Sequence, residues 1–168
     1  MLVVCAEFLT LTGRQSAASA FLEDKIEQSL EGAGKKGEEW GEVYCALAGV
    51  LSQGGDVKAS VAVLESALKD LELDLSGSVM YLRISSTLLD LLIFLGAEEG
   101  QGRRRVEYLV AAAPMKVQGV LLVQWLKHCC CVGGKQGLEY VQEFAKRNVA
   151  GGDLTEFRDI CGRLNGHC

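Results

Sequence analysis

At 168 residues, 49% of them hydrophobic, the chain is long and apolar enough to close a core, which excludes an intrinsically disordered polypeptide. Its net charge of −5 argues against a general nucleic-acid binder, which needs a basic excess or stripe. A single proline and much Leu, Ala, Val, Glu and Lys predict an all-α protein, and the 20 glycines cluster between apolar runs, where helices stop and turn.

The first predicted unit pairs a helix over 2–11 with one over 15–30, across a turn at Thr12-Gly13. The opening stretch "MLVVCAEFLTLTGRQSAASA" has the apolar run and small-residue site of a signal peptide. No basic residue precedes the run and Glu7 interrupts it, so we read it as a helix of the fold. The chain enters this apolar helix with no polar cap, which points to a longer array or to packing against another chain.

The connection "EGAGKKGEE" is polar and reads as a solvated linker. It lacks a phosphate loop's chemistry, because Ser29 stands where the first Gly is needed and Lys36 replaces the hydroxyl residue. The second unit follows with helices over 40–52 and 57–71, around Gly54-Gly55-Asp56. The third has helices over 79–95 and 103–113, a turn over 96–102, and Pro114 as its stop. Its apolar run over 88–95 is too short to span a bilayer. The fourth has helices over 117–131 and 136–149 around Val132-Gly133-Gly134. A short closing helix over 154–164, capped by Asp153, ends the array. The expected domain is one helical array over 1–168, with units at about 1–31, 40–74, 79–114 and 117–149 and a closing segment over 153–164.

The order Tyr44, Leu47-Ala48, Leu51, Gly55, Ser60, Leu64, Ala67 resembles the tetratricopeptide repeat, which alternates large and small residues around a turn Gly at fixed offsets. The first unit repeats it with Leu2, Cys5-Ala6, Leu9, Gly13, Ala18 and Leu22. The third gives Leu88, Leu91-Leu92, Leu95, Tyr108 and Ala111, with Arg104 at the small-residue position. The fourth gives Leu122, Trp125-Leu126, Cys129, Gly133 and Ala145, with Leu138 at that position. The opening large residues, Leu2, Tyr44, Leu88 and Leu122, recur after 42, 44 and 34 residues. Two of these intervals exceed the usual period of about 34. The resemblance implies a right-handed α-solenoid of about four antiparallel helix pairs plus a short C-terminal capping helix. A helical bundle without repeat ancestry is the plainer alternative.

A narrower resemblance rests on "LTGRQSAASAFLEDKIEQ" and "LSQGGDVKASVAVLESALKDL". These are similar to the later tetratricopeptide region in the family of 72-kDa subunits of the signal recognition particle. That resemblance implies a scaffold that pairs with a partner subunit in protein targeting. The family's basic RNA-contacting segment has no counterpart in this chain.

No catalytic constellation emerges, and we expect neither an enzyme nor a cofactor. "KHCCCVGG" invites a metal or thiol reading through His128, Cys129, Cys130 and Cys131. Neighbouring helical residues point about 100° apart, so three thiols in a row cannot converge on one ion. Cys161, His167 and Cys168 supply no familiar second half. The simpler expectation is a helix end with small thiols packed inward, in a reducing compartment, given seven cysteines in no disulfide framework. Arg103, Arg104 and Arg105 open a helix, where positive charge is disfavoured. Glu98 and Glu99, an acidic partner or RNA phosphate would neutralise them.

The expected role is a cytoplasmic, non-catalytic scaffold within a larger hetero-complex. It would hold a peptide or partner helix on the concave face formed by the first helix of each pair. Helical phase places Glu42, Arg83, Gln124 and Lys127 on that face. RNA enters only indirectly or weakly, and no membrane span is expected.

Overall fold

The computed structural model describes residues 2–30, 37, 40–71, 79–99, 102–149 and 154–165. The protein is all-α. Its helices are α1 (Leu2–Leu11), α2 (Gln15–Leu30), α3 (Gly41–Gln53), α4 (Val57–Asp70), α5 (Val79–Glu99), α6 (Gly102–Ala112), α7 (Met115–Asn148) and α8 (Thr155–Asn165). Each packs on its neighbour in sequence, and α1, α3, α5 and α7 also pack on one another in that order. The linker over 32–39 falls almost wholly outside the described residues, as do Asp153, His167 and Cys168.

The first two hairpins are one structure repeated 42 residues apart. Gly13 and Gly55 both adopt the left-handed conformation, at φ 75° and 88°, which a residue with a Cβ resists. Around Gly13, its own N–H donates to Thr10 at 3.0 Å and that of Arg14 to Leu9 at 2.8 Å. Around Gly55 the same pair runs to Ser52 at 3.0 Å and from Asp56 to Leu51 at 2.9 Å. This Schellman closure satisfies carbonyls that a helix end leaves open. The Asp56 carboxylate then caps α4 by accepting from the Ala59 N–H at 2.9 Å.

Behind the turns, small residues meet. The buried Ser60 hydroxyl donates to the Ala48 carbonyl at 2.7 Å, so α4 lies close against the backbone of α3. Ala6 and Ala18, the residues 42 positions earlier, are buried too, as are the large neighbours Leu22 and Leu64. At the far end of the second hairpin the buried Tyr44 hydroxyl lies 3.5 Å from the Asp70 carboxylate. Burial, the nearby charge and this hydrogen bond together push its ionisation up to about 12.

The third unit departs from the sequence expectation. α5 runs on to Glu99 rather than stopping near Leu95, because one glycine at Gly96 is tolerated and Ala97, Glu98 and Glu99 are helix formers. α6 then buries Val106, Leu109 and Val110, while Arg104 is exposed and is no crossing residue. By length and composition α5 holds one stretch, Val79–Gly96, apolar enough to cross a membrane, longer than the run over 88–95 suggested. In the fold Ile84, Leu88, Leu89 and Leu92 of this helix are buried, and it packs on α3, α4, α6 and α7.

The fourth unit turns without a gap. α7 starts directly after Pro114 and reverses at one residue, Gly134, at φ 53° and ψ −133°. Its two arms close through Trp125, whose ring meets Tyr140 at 5.9 Å and Phe144 at 5.1 Å, both edge to face. The close approach falls at Gly137, where a Cβ would collide with the Cys129 carbonyl. Leu138, expected at the crossing, is buried beside it. α8 buries Phe157 and Cys161 and turns Glu156, Arg158, Asp159 and Arg163 outward.

Two glycines give opposite expected outcomes in urea unfolding. Gly137→Ala forces backbone against backbone and lowers stability by about 1–3 kcal/mol. Gly49→Ala, inside α3 with open space at its Cβ position, raises stability by about 0.5–1 kcal/mol. Equal effects at both positions would contradict the close approach at Gly137.

Candidate interaction surface

α1, α3, α5 and α7 pack on one another in turn; of the residues that helical phase assigned to their shared side, Glu42 and Arg83 bond to each other, while Gln124 bonds to Ser86 and Asp90. On α3 and α5, Glu42 and Arg83 make an ion pair, both half exposed. On α5 and α7, the Gln124 amide donates to the Asp90 carboxylate at 2.6 Å and to the Ser86 carbonyl at 3.1 Å. The Ser86 hydroxyl returns a bond to the Gln124 oxygen at 2.7 Å. These pairs come from residues 41, 38 and 34 positions apart. Lys127 is exposed, one turn along α7 from Gln124.

Between α1 and α3 this face opens into a groove of about 410 Å³. Ala6, Ala46 and Gly49 line it with short side chains, which leaves the space. Val3 and Val50 add apolar walls, and Glu7, Gln53 and the Glu42–Arg83 pair supply polar atoms around them. Sequence reasoning singled out only Glu42 and Arg83 here. Cys45, Gly49 and Gln53 share a helical face with Glu42, so the same phase argument extended along α3 would have found them.

The second helices carry a matching set of ties. Arg105 of α6 pairs with Glu65 of α4 at 2.6 Å. The Tyr140 hydroxyl of α7 donates to Glu107 of α6, and the Arg103 guanidinium lies 4.1 Å from the centre of the Tyr140 ring. Two of the three arginines therefore meet groups distant in sequence. The side chains of Glu98 and Glu99, expected as neighbours, lie outside the described residues. Arg104 lines a shallow surface of about 610 Å³ with Glu107, Tyr108, Glu143 and Arg147, a mixed rather than a basic lining.

The cysteine run fans outward along α7. Cys129 and Cys130 are half buried and Cys131 is exposed, so the three thiols do not all pack inward as the sequence suggested. Adjacent residues on one helix take different faces, which is the reason. Among the described residues no group of three or more His, Cys, Asp or Glu side chains converges as a metal site would. Burial raises the Cys129 thiol above its ordinary range; Arg103 opposes that shift and Cys130 adds to it. Burial likewise raises Cys45, with Arg83 opposing and Glu42 adding.

Searches of protein-family models, curated proteins and solved structures find no match to this chain.

A raised thiol pKa leaves less thiolate at neutral pH, and thiolate is the reactive form. Near neutral pH, Cys5 and Cys131 should therefore label with a charged maleimide at least about tenfold faster than Cys45 and Cys129. Peptide mass spectrometry reads the order, and the slow pair should speed up as pH rises through and above 9. Cys129 labelling as fast as Cys131 would contradict its burial.

Proposed function

We propose that the protein is a non-catalytic interaction scaffold, an α-solenoid that receives a peptide or helix of a partner protein on its first-helix face. The observation that carries this reading is the groove between α1 and α3, lined by Ala6, Ala46 and Gly49. Short side chains there leave room for a partner's larger ones, and the polar atoms around them fix orientation. The packing order of α1, α3, α5 and α7 supports a stack rather than a closed bundle, and the outward charges of α8 suit a terminal cap. The repeated turns at Gly13 and Gly55 support a tetratricopeptide-like origin.

Within that reading Lys127 is the stronger contact residue, because its ammonium is exposed. Glu42, Arg83 and Gln124 already tie the first helices together, so a partner meets them as a preset polar row. A role as a protein subunit of an RNA-containing targeting particle is the second reading, following the narrower family resemblance. Arg104, exposed beside Tyr108, favours it, while the partners of Arg103 and Arg105 weigh against it.

Affinity purification of the native complex distinguishes these readings. The expected result is a stoichiometric protein partner whose recovery falls at least about tenfold with Lys127→Glu and Gly49→Gln combined, at unchanged helix content. Salt-sensitive RNA recovered instead, and lost on changing Arg103, Arg104 and Arg105, would replace the scaffold reading with the second one. Stoichiometric zinc lost on changing Cys129 and Cys131 would replace both.

A further inference from the structure

A second cavity, of about 500 Å³, lies where α5, α6 and both arms of α7 meet, apart from the α1–α3 groove. Its volume falls in the range of small-molecule sites, roughly 300–1,000 Å³. Much of the lining is apolar: Leu92 of α5, Val106 of α6 and Trp125 of α7 are buried there. Ile93 and the exposed Val132 carry the apolar lining out to the surface. Cys129 and Gly137, the close approach between the two arms of α7, line it as well.

Against these walls the polar lining is of one kind. Arg103, His128 and Gln136 each bring N–H donors, and no carboxylate lines the cavity among the described residues. Arg83, Arg105 and Arg147 are paired with Glu42, Glu65 and Glu143. Arg103 is paired with no carboxylate among the described residues; its guanidinium lies 4.1 Å from the centre of the Tyr140 ring. That ring is itself held, by its hydroxyl bond to Glu107 and by its edge-to-face contact with Trp125. A guanidinium stacked on a fixed ring keeps its orientation while the N–H groups at its edge stay open. Glu107, one turn along α6, is engaged by Tyr140 and does not line the cavity.

We propose that this cavity binds a small carboxylic acid with an aromatic or branched apolar body. The body would displace water from Leu92, Val106 and Trp125, and the carboxylate would accept from the Arg103 fork. One fixed cation matches one negative charge, whereas a phosphate dianion would leave a charge unmatched beside apolar walls. Four helix segments bound the cavity, which suits a compact ligand better than an extended peptide. The inference stands apart from the scaffold reading, since it uses neither the α1–α3 groove nor Lys127. It also gives His128 and Cys129 a place, as a donor and a small wall of this site.

Phenylbutyrate is the probe, with phenylbutyramide as its uncharged counterpart. Cys129 lines the cavity, so its alkylation by iodoacetamide at mildly alkaline pH, read by peptide mass spectrometry, reports occupancy. Millimolar phenylbutyrate should slow Cys129 at least about threefold. It should leave Cys45 and Cys131, which do not line this cavity, unchanged. Arg103→Gln should raise the concentration needed for half protection at least about tenfold. Arg104→Gln should leave it unchanged, and neither substitution should alter the melting temperature, because both arginines are exposed. Equal protection by phenylbutyramide, or protection indifferent to Arg103→Gln, would mean an apolar hollow without anion recognition and overturn the proposal. No protection at concentrations up to about 10 mM does the same. Stronger protection by a capped tripeptide with glutamate between two phenylalanines assigns the cavity to a partner's acidic side chain and overturns the small-molecule assignment. The scaffold reading is tested by partner recovery at Lys127 and Gly49, so its failure shows up separately.

Discussion

Where α3 crosses α4, the Ser60 hydroxyl sits against the Ala48 carbonyl, and no larger side chain fits between the helices. The bond itself contributes about 1 kcal/mol. The geometry it permits matters more, because two helices this close share one row of large side chains behind them, Leu47 and Leu64 among them. The same arrangement of small residues stands 42 positions earlier at Ala6 and Ala18. Two hairpins of equal shape then lie side by side, and α1 and α3 share one face. The fourth hairpin reaches a comparable closeness by another route, with Gly137 against the Cys129 backbone.

Polar ties run along each layer and follow the packing rather than create it. Glu42 with Arg83 and Gln124 with Asp90 link the first helices, while Glu65 with Arg105 and Glu107 with Tyr140 link the second ones. The two ion pairs are half exposed, where such pairs contribute at most about 1 kcal/mol each. Their value is in register, since each joins helices of neighbouring pairs. Glu42 and Arg83 also border the groove that the short side chains of Ala6 and Ala46 and the bare Gly49 leave open.

The helices and the first two hairpins were legible in the sequence because their punctuation is local. A left-handed Gly, a small residue five positions on and a capping Asp56 all act within one turn of the chain. The end of α5 was not legible, because Gly96 reads as a stop while Ala97, Glu98 and Glu99 carry the helix on. The fourth turn falls at Gly134, inside the expected Val132-Gly133-Gly134, but one residue past Gly133, which the repeat order singled out, and its small contact residue is Gly137 rather than position 138. Two adjacent glycines offer no local reason to choose between them. For the surface, helical phase put Glu42, Arg83, Gln124 and Lys127 on first helices. It gave no hint that Glu42 meets Arg83 or that Tyr140 lies beneath Arg103, because those partners are joined only through packing.

Cysteine cross-linking tests the stacking order most directly. In a chain whose native cysteines are replaced, Glu42→Cys with Arg83→Cys, and Ser86→Cys with Gln124→Cys, report the contacts of α3 with α5 and of α5 with α7. Both pairs should oxidise to intramolecular disulfides, while Glu42→Cys with Gln124→Cys should not. Ready bridging of that last pair, or of neither neighbouring pair, would mean that the helix couples do not lie in file.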